Sequence, residues 1–229
     1  MSVIENNIKK VRETIAEAAV KSGRNPSEVQ LMAVTKTVDD DRILEAIEVG
    51  VDIVGENYVQ EAKRKIEKMD VDVKWHMIGH LQSNKAKYAV RLFDMVHSVD
   101  RMGLASELDR RSAAAKRVTD ILVEVNVSGE ESKNGISADE APDLIRNISL
   151  LKNLSVRGLM TMPPWFDNPD DARPYFVALR ELRDRIVEEN IHGVDMRELS
   201  MGMSGDYRVA VEEGATIVRI GTAIFGARI

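Results

Sequence analysis

Eight short apolar runs recur along the chain, and segments with the hydrophobic spacing of a helix separate them. Aliphatic and β-branched residues dominate the runs, each of which is short enough to be a strand. The first run indicates a strand that is buried on both faces, and it ends in a lysine. The eight predicted strands span residues 29–36, 51–54, 73–78, 95–99, 119–127, 156–161, 198–200 and 215–220.

An amphipathic helix opens the chain, before any of the strands, and runs from residue 3 to about residue 22, with Gly23 as a stop. Further helices are predicted at residues 39–50, 58–69, 84–92, 102–115, 138–148, 169–189 and 206–213. Eight alternations of strand and helix predict an α/β fold, a closed (β/α)8 TIM barrel with an extra N-terminal helix. An open doubly wound sheet is the alternative. Because no linker, low-complexity tract or repeat divides the sequence, we expect a single domain over residues 1–229.

Composition and charge argue against several classes of protein. The net charge of −6 comes with 31% charged residues of both signs, so we expect neither a nucleic-acid partner nor binding to an anionic membrane. The absence of cysteine rules out disulfides and thiolate metal ligands, and the four histidines lack the neighbours that a metal site needs. We find neither a signal-peptide pattern nor an apolar stretch of about 18 residues, which predicts a cytoplasmic protein.

Lys36 is the first candidate for chemistry, because it ends the apolar run of residues 29–36. An ammonium group at the end of a buried strand indicates that the strand opens into a site. Desolvation there favours the neutral amine, which acts as a base or forms a Schiff base with an aldehyde. The alternative is a strand-end lysine that extends its ammonium group into water.

In a TIM barrel the site lies at the carboxyl ends of the strands, and phosphate commonly binds in the loops after the last two. Those loops, residues 200–206 and 221–223, combine glycine with hydroxyl groups and suit an anion. Arg219 interrupts the last apolar run, where its guanidinium points into the barrel mouth or pairs with an acid. Further polar residues that we expect at the mouth are Asn57, His80, Ser98, Asn126 and Thr161.

A lysine amine, an anion cradle and a guanidinium around one mouth together suit pyridoxal 5′-phosphate (PLP). Six stretches carry a resemblance: LMAVTKT at 31–37, GENYVQE at 55–61, WHMIGHLQSNK at 75–85, VNV at 125–127 with SKNG at 132–135, LSMGMS at 199–204 and VRIGTAIFG at 218–226. Through them the chain resembles the YggS/PROSC family of PLP-binding proteins, also called pyridoxal phosphate homeostasis proteins. The resemblance implies a barrel like the N-terminal domain of alanine racemase, which is fold type III among PLP proteins.

The resemblance also implies roles for particular residues. Lys36 would carry PLP as an internal aldimine, and Arg219 would face the pyridine nitrogen and keep it unprotonated. The residues implied to line the ring are Asn57 and Met201, and those implied to surround the phosphate are Ser200, Ser204, Gly221 and Thr222. Thr35 stands where the family's lysine motif has serine, but it keeps the hydroxyl. Residues 165–168 are less typical of the family and receive no role.

Two functions from different classes remain open, both with PLP bound. A carrier holds PLP and releases it by transimination, whereas a racemase needs a second acid or base on the far face of the cofactor. In alanine racemases that group is a tyrosine from a separate C-terminal β domain, and we expect no such domain here. The four tyrosines fit helical positions better than a catalytic role: Tyr58, Tyr88, Tyr175 and Tyr207. We therefore expect a non-catalytic carrier in PLP homeostasis, with apo-PLP enzymes as candidate acceptors.

A third interpretation keeps the lysine but not the cofactor. A Schiff-base aldolase that acts on a sugar phosphate needs the same amine and the same anion site, without a bound chromophore. Colour therefore separates this interpretation from the first two. Because we expect no partner-contacting β domain, we also expect a monomer.

Overall fold

The computed structural model describes residues 2–130 and 133–227, and a closed parallel β-barrel lies at its centre. The strands are β1 Gln30–Val34, β2 Ile53–Glu56, β3 Lys74–Met77, β4 Met95–Val99, β5 Thr119–Asn126, β6 Ile136–Ser137, β7 Leu154–Met160, β8 Val194–Ser200 and β9 Ile217–Ile220. All except β6 form the barrel, in the order β1-β2-β3-β4-β5-β7-β8-β9, and β9 pairs with β1 to close it. The predicted (β/α)8 barrel is confirmed, and the open sheet is wrong.

Helices cover the outside of the barrel. They are α1 Val3–Lys21, α2 Asp40–Glu48, α3 Val59–Lys68, α4 Ala86–Leu92, α5 Met102–Ala114, α6 Ala141–Ile148, α7 Arg173–Glu188, α8 Tyr207–Glu212 and α9 Thr222–Phe225. The predicted N-terminal helix is α1, which begins with a reciprocal capping box between Ser2 and Glu5. It packs against α2, α8 and α9. Because α9 is only one turn long, α1 occupies the outer position that a full helix after the last strand would take.

The core has two parts, because strand side chains alternate between the two faces of the barrel wall. The large part lies between the wall and the helices, and the buried side of α1 belongs to it. A small apolar cluster of Met32, Ile53, Ile78 and Ile217 comes mainly from β1, β2 and β9 and lies on the inner face. Polar side chains share this interior with the apolar cluster, and they bear on the candidate site.

Several boundaries differ from the predictions by a few residues, and two short elements were not predicted. Strand β8 begins at Val194 instead of residue 198, because polar, partly exposed residues at the amino end of the barrel interrupt its apolar pattern. The predicted helix of residues 169–189 begins as a 3-10 turn, Pro169–Ala172, before α7 starts. The two-residue β6 and the one-turn α9 were not predicted, since neither is long enough to show a periodicity.

Gly158 allows β7 and β8 to approach each other closely. Its φ is +152°, and a Cβ at this position would stand 1.8 Å from the carbonyl oxygen of Glu198. The pairing register of the two strands shifts at the same place. No helix in residues 2–130 and 133–227 has the length and apolar character needed to cross a membrane.

Candidate functional site

A cavity of about 310 Å³ opens at the carboxyl ends of the strands. Its walls come from β1 and β9 and from the chain segments that follow β1, β2, β3, β7, β8 and β9, so distant parts of the sequence meet there. Six of the eight predicted site residues line it, and two of them carry charge. The six are the charged Lys36 and Arg219 together with Asn57, Ser204, Gly221 and Thr222. The volume is at the small end of the range for small-molecule sites.

Lys36 is partly buried, and the residues on both sides of it are held by hydrogen bonds. The hydroxyl of Thr35 donates to Glu56 Oε1 at 2.6 Å, and the Thr37 N–H donates to Glu61 Oε1 at 2.7 Å. Thr37 has a φ of +61°, which is uncommon for a β-branched residue. The backbone that presents Lys36 to the cavity is therefore constrained by two glutamates from β2 and α3.

Lys65 links these two glutamates behind the wall of the barrel. Its Nζ donates to Glu56 Oε1 and to the Thr35 carbonyl oxygen at 2.6 Å, and to Glu61 Oε1 at 2.7 Å. Lys65 and Glu56 are fully buried. Burial raises the pKa of the Glu56 carboxyl, while its bonds from Lys65 and Thr35 oppose the rise. This cluster was not predicted from the sequence, although Lys65 occupies a position on the apolar face of its helix and so carried a signal.

Arg219 is buried, and it lines the cavity. Its Nη1 donates to Ser200 Oγ and its Nη2 donates to the Thr161 carbonyl oxygen, both at 2.7 Å. Burial lowers the pKa of the Arg219 guanidinium to about 10, although the carboxyls of Asp206 and Glu124 oppose the change. The group therefore remains a cation at neutral pH, and it can donate hydrogen bonds but not accept them.

The loops after β8 and β9 form a cradle of hydroxyl and amide groups. Ser204 Oγ accepts the Gly221 N–H at 3.3 Å and the Ala223 N–H at 3.2 Å. Asp206 fixes the first loop, since its Oδ1 accepts the Met203 N–H at 2.6 Å, and burial raises the pKa of the Asp206 carboxyl. N–H groups that converge on one hydroxyl oxygen are placed to bind an anion. The donor set of the cavity fits an aldehyde that carries a phosphate.

Two of the predicted site residues lie elsewhere. Ser200 is fully buried, and its hydroxyl contacts Arg219 and His97 instead of the cavity. Met201 is fully buried in the large core, whereas Met203 lines the cavity. The reason is strand alternation at the end of β8, which turns Ser200 into the barrel and Met201 toward the helices. Sequence alone did not determine which face of this strand is which.

Four of the polar residues expected at the mouth do not line the cavity. The side chain of Asn126 holds its own loop through Ser128 and Gly129, and His80 is 4.0 Å from a carboxyl oxygen of Asp100. Thr161 Oγ1 donates to the Val125 carbonyl oxygen. Ser98 Oγ is buried without a hydrogen-bond partner among the described residues. In contrast, Asn57 does line the cavity.

Gly79 allows the chain after β3 to pass close to the backbone of Asn57. A Cβ at residue 79 would stand 2.4 Å from the Asn57 carbonyl oxygen, so only glycine lets the chain after β3 pass this close.

The segment after β7 forms the outer wall of the cavity, with Met162, Trp165 and Phe166, to which the sequence analysis gave no role. Trp165 is 77% exposed at the rim. Of the stretch 132–135, residue Ser132 lies outside the described residues.

Within the described ranges, no group of three or more His, Asp or Glu side chains is arranged to hold a metal ion. Among the residues that line the cavity, Lys36 supplies an amine and Arg219 supplies a guanidinium.

Comparison with known proteins gives the same assignment as the six stretches of sequence. A family model described as alanine racemase, N-terminal domain, matches residues 2–229. The pyridoxal phosphate homeostasis protein of Aquifex aeolicus (strain VF5) is 46% identical over 222 residues, which cover 96% of each chain. The chain belongs to the pyridoxal phosphate homeostasis protein family. Its relative of that name from Escherichia coli (strain K12) is 39% identical over 236 residues, with 100% of this chain and 98% of the relative covered.

Solved structures of other proteins have the same barrel fold as this chain. PipY from Synechococcus elongatus PCC7942, in a structure with PLP bound, superposes with a TM-score of 0.81 at 36% identity, covering 93% of this chain and 100% of PipY. Alanine racemase from Corynebacterium glutamicum superposes with a TM-score of 0.75 at 13% identity, covering 99% of this chain and 61% of the racemase. The racemase likeness concerns the fold alone. The predicted family and the predicted likeness to the alanine racemase barrel are confirmed.

Proposed function

We propose that this protein binds PLP at the barrel mouth as a Schiff base on Lys36 and acts as a non-catalytic carrier of the cofactor. The observation that carries the proposal is the convergence of Lys36, Arg219 and the Ser204 cradle on one cavity. A homologue 36% identical to this chain has a structure with PLP bound, which supports the same ligand here.

Each group of the cavity suits a different part of PLP. The amine of Lys36 condenses with the aldehyde to give an imine and water. Ser204, Gly221 and Thr222 supply the hydroxyl and N–H donors for the phosphate, and Asn57 borders the ring. Ser200 and Met201 are assigned no direct contact, since their side chains lie in the barrel interior and in the large core.

Arg219 supports a carrier over a racemase. PLP supplies an electron sink for amino-acid chemistry when its ring nitrogen is protonated. A buried guanidinium only donates hydrogen bonds, so it favours an unprotonated ring nitrogen and a weaker sink. None of the described residues that line the cavity is a tyrosine, the residue type that supplies the second acid or base in the related racemases. The names of the relatives also speak of homeostasis and not of catalysis.

An absorption spectrum of the purified protein with added PLP, from about 300 to 500 nm, tests the proposal. We expect a Schiff-base band that borohydride removes, and we expect Lys36→Ala to lack the band. Lys152→Ala is the matched control, because Lys152 is exposed in the connection between α6 and β7, and it should keep the band. A colourless wild-type protein that takes up no PLP would contradict the proposal and favour a Schiff-base aldolase.

Two further assays separate the carrier from an enzyme. Incubation of the PLP-loaded protein with L-alanine, followed by chiral analysis, should give no D-alanine above the rate for free PLP. Mixing the loaded protein with an apo-PLP enzyme should restore the activity of that enzyme. Rapid racemisation without transfer would identify a racemase.

A further inference from the structure

A line of buried polar side chains crosses the inside of the barrel, starting at the cavity wall. Arg219 Nη1 is 2.7 Å from Ser200 Oγ, Ser200 Oγ is 3.0 Å from His97 Nδ1, and His97 Nε2 is 3.0 Å from His76 Nδ1. Strands β9, β8, β4 and β3 supply these four residues, and each residue is at most 4% exposed. The line therefore connects the mouth of the barrel with its interior.

The far end of the line reaches the opposite side of the barrel. His76 lines a second cavity, of about 340 Å³, together with Asp94 and Asp120. Asp94 immediately precedes β4, and Asp120 is the second residue of β5, so this cavity lies at the amino ends of the strands.

One direction of the hydrogen bonds gives the Ser200 hydrogen an acceptor. A guanidinium only donates, so Ser200 Oγ accepts from Arg219, and His97 Nδ1 is then the one acceptor among its hydrogen-bond partners in the described residues. His97 then carries its hydrogen on Nε2 and donates it to His76 Nδ1. His76 in turn carries its hydrogen on Nε2. These tautomers are assigned from the hydrogen-bond network, with Arg219 as its fixed starting point.

Both imidazoles are neutral at neutral pH, as this direction requires. Burial lowers the pKa of His76 to about 3, and it lowers the pKa of His97 well below the usual value. The nearby cations Lys74 and Arg219 act in the same sense on His76 and His97, respectively. Each ring thus has one donor and one acceptor, and the line uses both nitrogens of His97.

An apolar filling would serve stability at least as well. Interiors of TIM barrels are mostly filled with branched apolar side chains, as Ile53 and Ile217 are in the apolar cluster on the inner face. Buried polar groups cost free energy unless every one is hydrogen-bonded, and replacing them with apolar groups of similar shape is often neutral. The effect of the polar line is therefore geometric: its hydrogen bonds restrict the orientation of its one charged member, Arg219.

We propose that Ser200, His97 and His76 are positioning residues that hold the Arg219 guanidinium in a single orientation at the cavity. The assignment of a cofactor ring as the group that Arg219 meets rests on the proposed function. The orientation itself is a property of the protein without ligand.

The first test uses NMR on three proteins without ligand: wild type, His97→Leu and His97→Asn. The Oδ1 of asparagine takes the place of Nδ1 as an acceptor for Ser200, whereas leucine removes the acceptor. We expect separate, slowly exchanging Nη–H signals for Arg219 in the wild type and in His97→Asn, and their loss in His97→Leu. The ¹⁵N shifts of the wild type should report the Nε2–H tautomer for both histidines.

The second test measures PLP affinity by absorption. We expect His97→Leu to bind PLP roughly tenfold more weakly than wild type, because Ser200 loses its acceptor and no longer holds the Arg219 guanidinium in one orientation. We expect His97→Asn to stay within about threefold of wild type, because asparagine keeps an acceptor for Ser200. Urea unfolding of each variant controls for stability. If His97→Leu does not fold, Ser200→Ala removes a single oxygen and carries the same expectation.

The outcomes separate the two proposals. Equal Arg219 signals in wild type, His97→Leu and Ser200→Ala would overturn the positioning role, as would an Nδ1–H tautomer for His97. Equal losses in His97→Leu and His97→Asn would also overturn it, because packing and not the acceptor would then matter. A wild-type protein that binds no PLP but shows the expected NMR pattern would contradict the proposed function and support the positioning role.

Discussion

Replacing Lys65 with methionine removes the group that ties the Lys36 segment to α3. The ammonium donates to three oxygens at 2.6–2.7 Å, on Thr35, Glu56 and Glu61. Methionine keeps most of the length and the apolar character of the stem. The substitution therefore leaves packing largely intact and leaves Glu56 as a buried carboxylate without its counter-ion.

The expected loss is large, because both members of the Lys65–Glu56 pair are fully buried. Removing one partner of a buried ion pair typically costs about 3–5 kcal/mol. In a domain of this size a loss of 1 kcal/mol lowers the Tm by about 2–4 °C. We therefore expect the Tm to fall by roughly 6–20 °C, together with weaker PLP binding, because Thr35 and Thr37 on either side of Lys36 lose their support.

Urea and thermal unfolding followed by circular dichroism measure this loss. Lys68→Met is the matched control on the same helix, since Lys68 Nζ is 2.7 Å from Asp40 but its side chain is 66% exposed. Such an exposed pair contributes at most about 1 kcal/mol. The double variant Lys65→Met with Glu56→Gln should regain at least half of the loss, because no unpaired charge remains buried.

Two results would refute this reasoning. A destabilisation by Lys65→Met no greater than that by Lys68→Met would show that the buried pair makes no special contribution. A double variant no more stable than Lys65→Met alone would show that lost packing, and not the unpaired carboxylate, is responsible.

Two further predictions concern the barrel itself. Gly158→Ala should lower the free energy of unfolding in urea by at least about 3 kcal/mol, because its Cβ would stand 1.8 Å from the Glu198 carbonyl oxygen at a φ of +152°. Gly103→Ala in α5 is the control and should lower it by nothing, because no atom lies within 4 Å of the added Cβ. Glu124 is buried and its pKa is raised from 4.5 to about 7, mainly by burial. The folded state thus favours the protonated acid, and this stabilisation is complete below pH 4.5 and lost as the pH rises to 7, in all about 3 kcal/mol. Glu124→Gln should be as stable as wild type at pH 4 and more stable than wild type at pH 8, and a difference in stability that does not change with pH would contradict the raised pKa. A Gly158→Ala variant as stable as wild type would contradict the first of these two predictions.

The residues that determine the site were visible in the sequence where a polar group breaks an apolar run. Lys36 at the end of the first strand and Arg219 within the last one both stand out for this reason, and both line the cavity. Ser204, Gly221 and Thr222 were predicted from loop composition and barrel topology, and they line it too. Their roles toward PLP stay predictions.

Other members of the site could not be assigned in this way. Ser200 and Met201 are neighbours at the end of β8, and only the pairing of β8 with β7 decides which one faces the barrel interior. His76 and His97 looked like isolated strand histidines, because their contact joins residues 21 positions apart through the barrel. Lys65 stands on the apolar face of its helix, but its buried partner Glu56 is identified only once α3 packs on β2.

The alternation of strands and helices, and with it the barrel, can be derived from the amino-acid sequence, because periodicity is a local property of the chain. The sequence also determined the family, and it identified the amine and the guanidinium. Which polar groups meet depends on the folded structure, because the line from Arg219 to His76 and the Lys65 cluster each join several strands or helices. Closure of the barrel between β9 and β1 brings these elements together, and the resulting contacts depend on register and facing, which no single segment encodes.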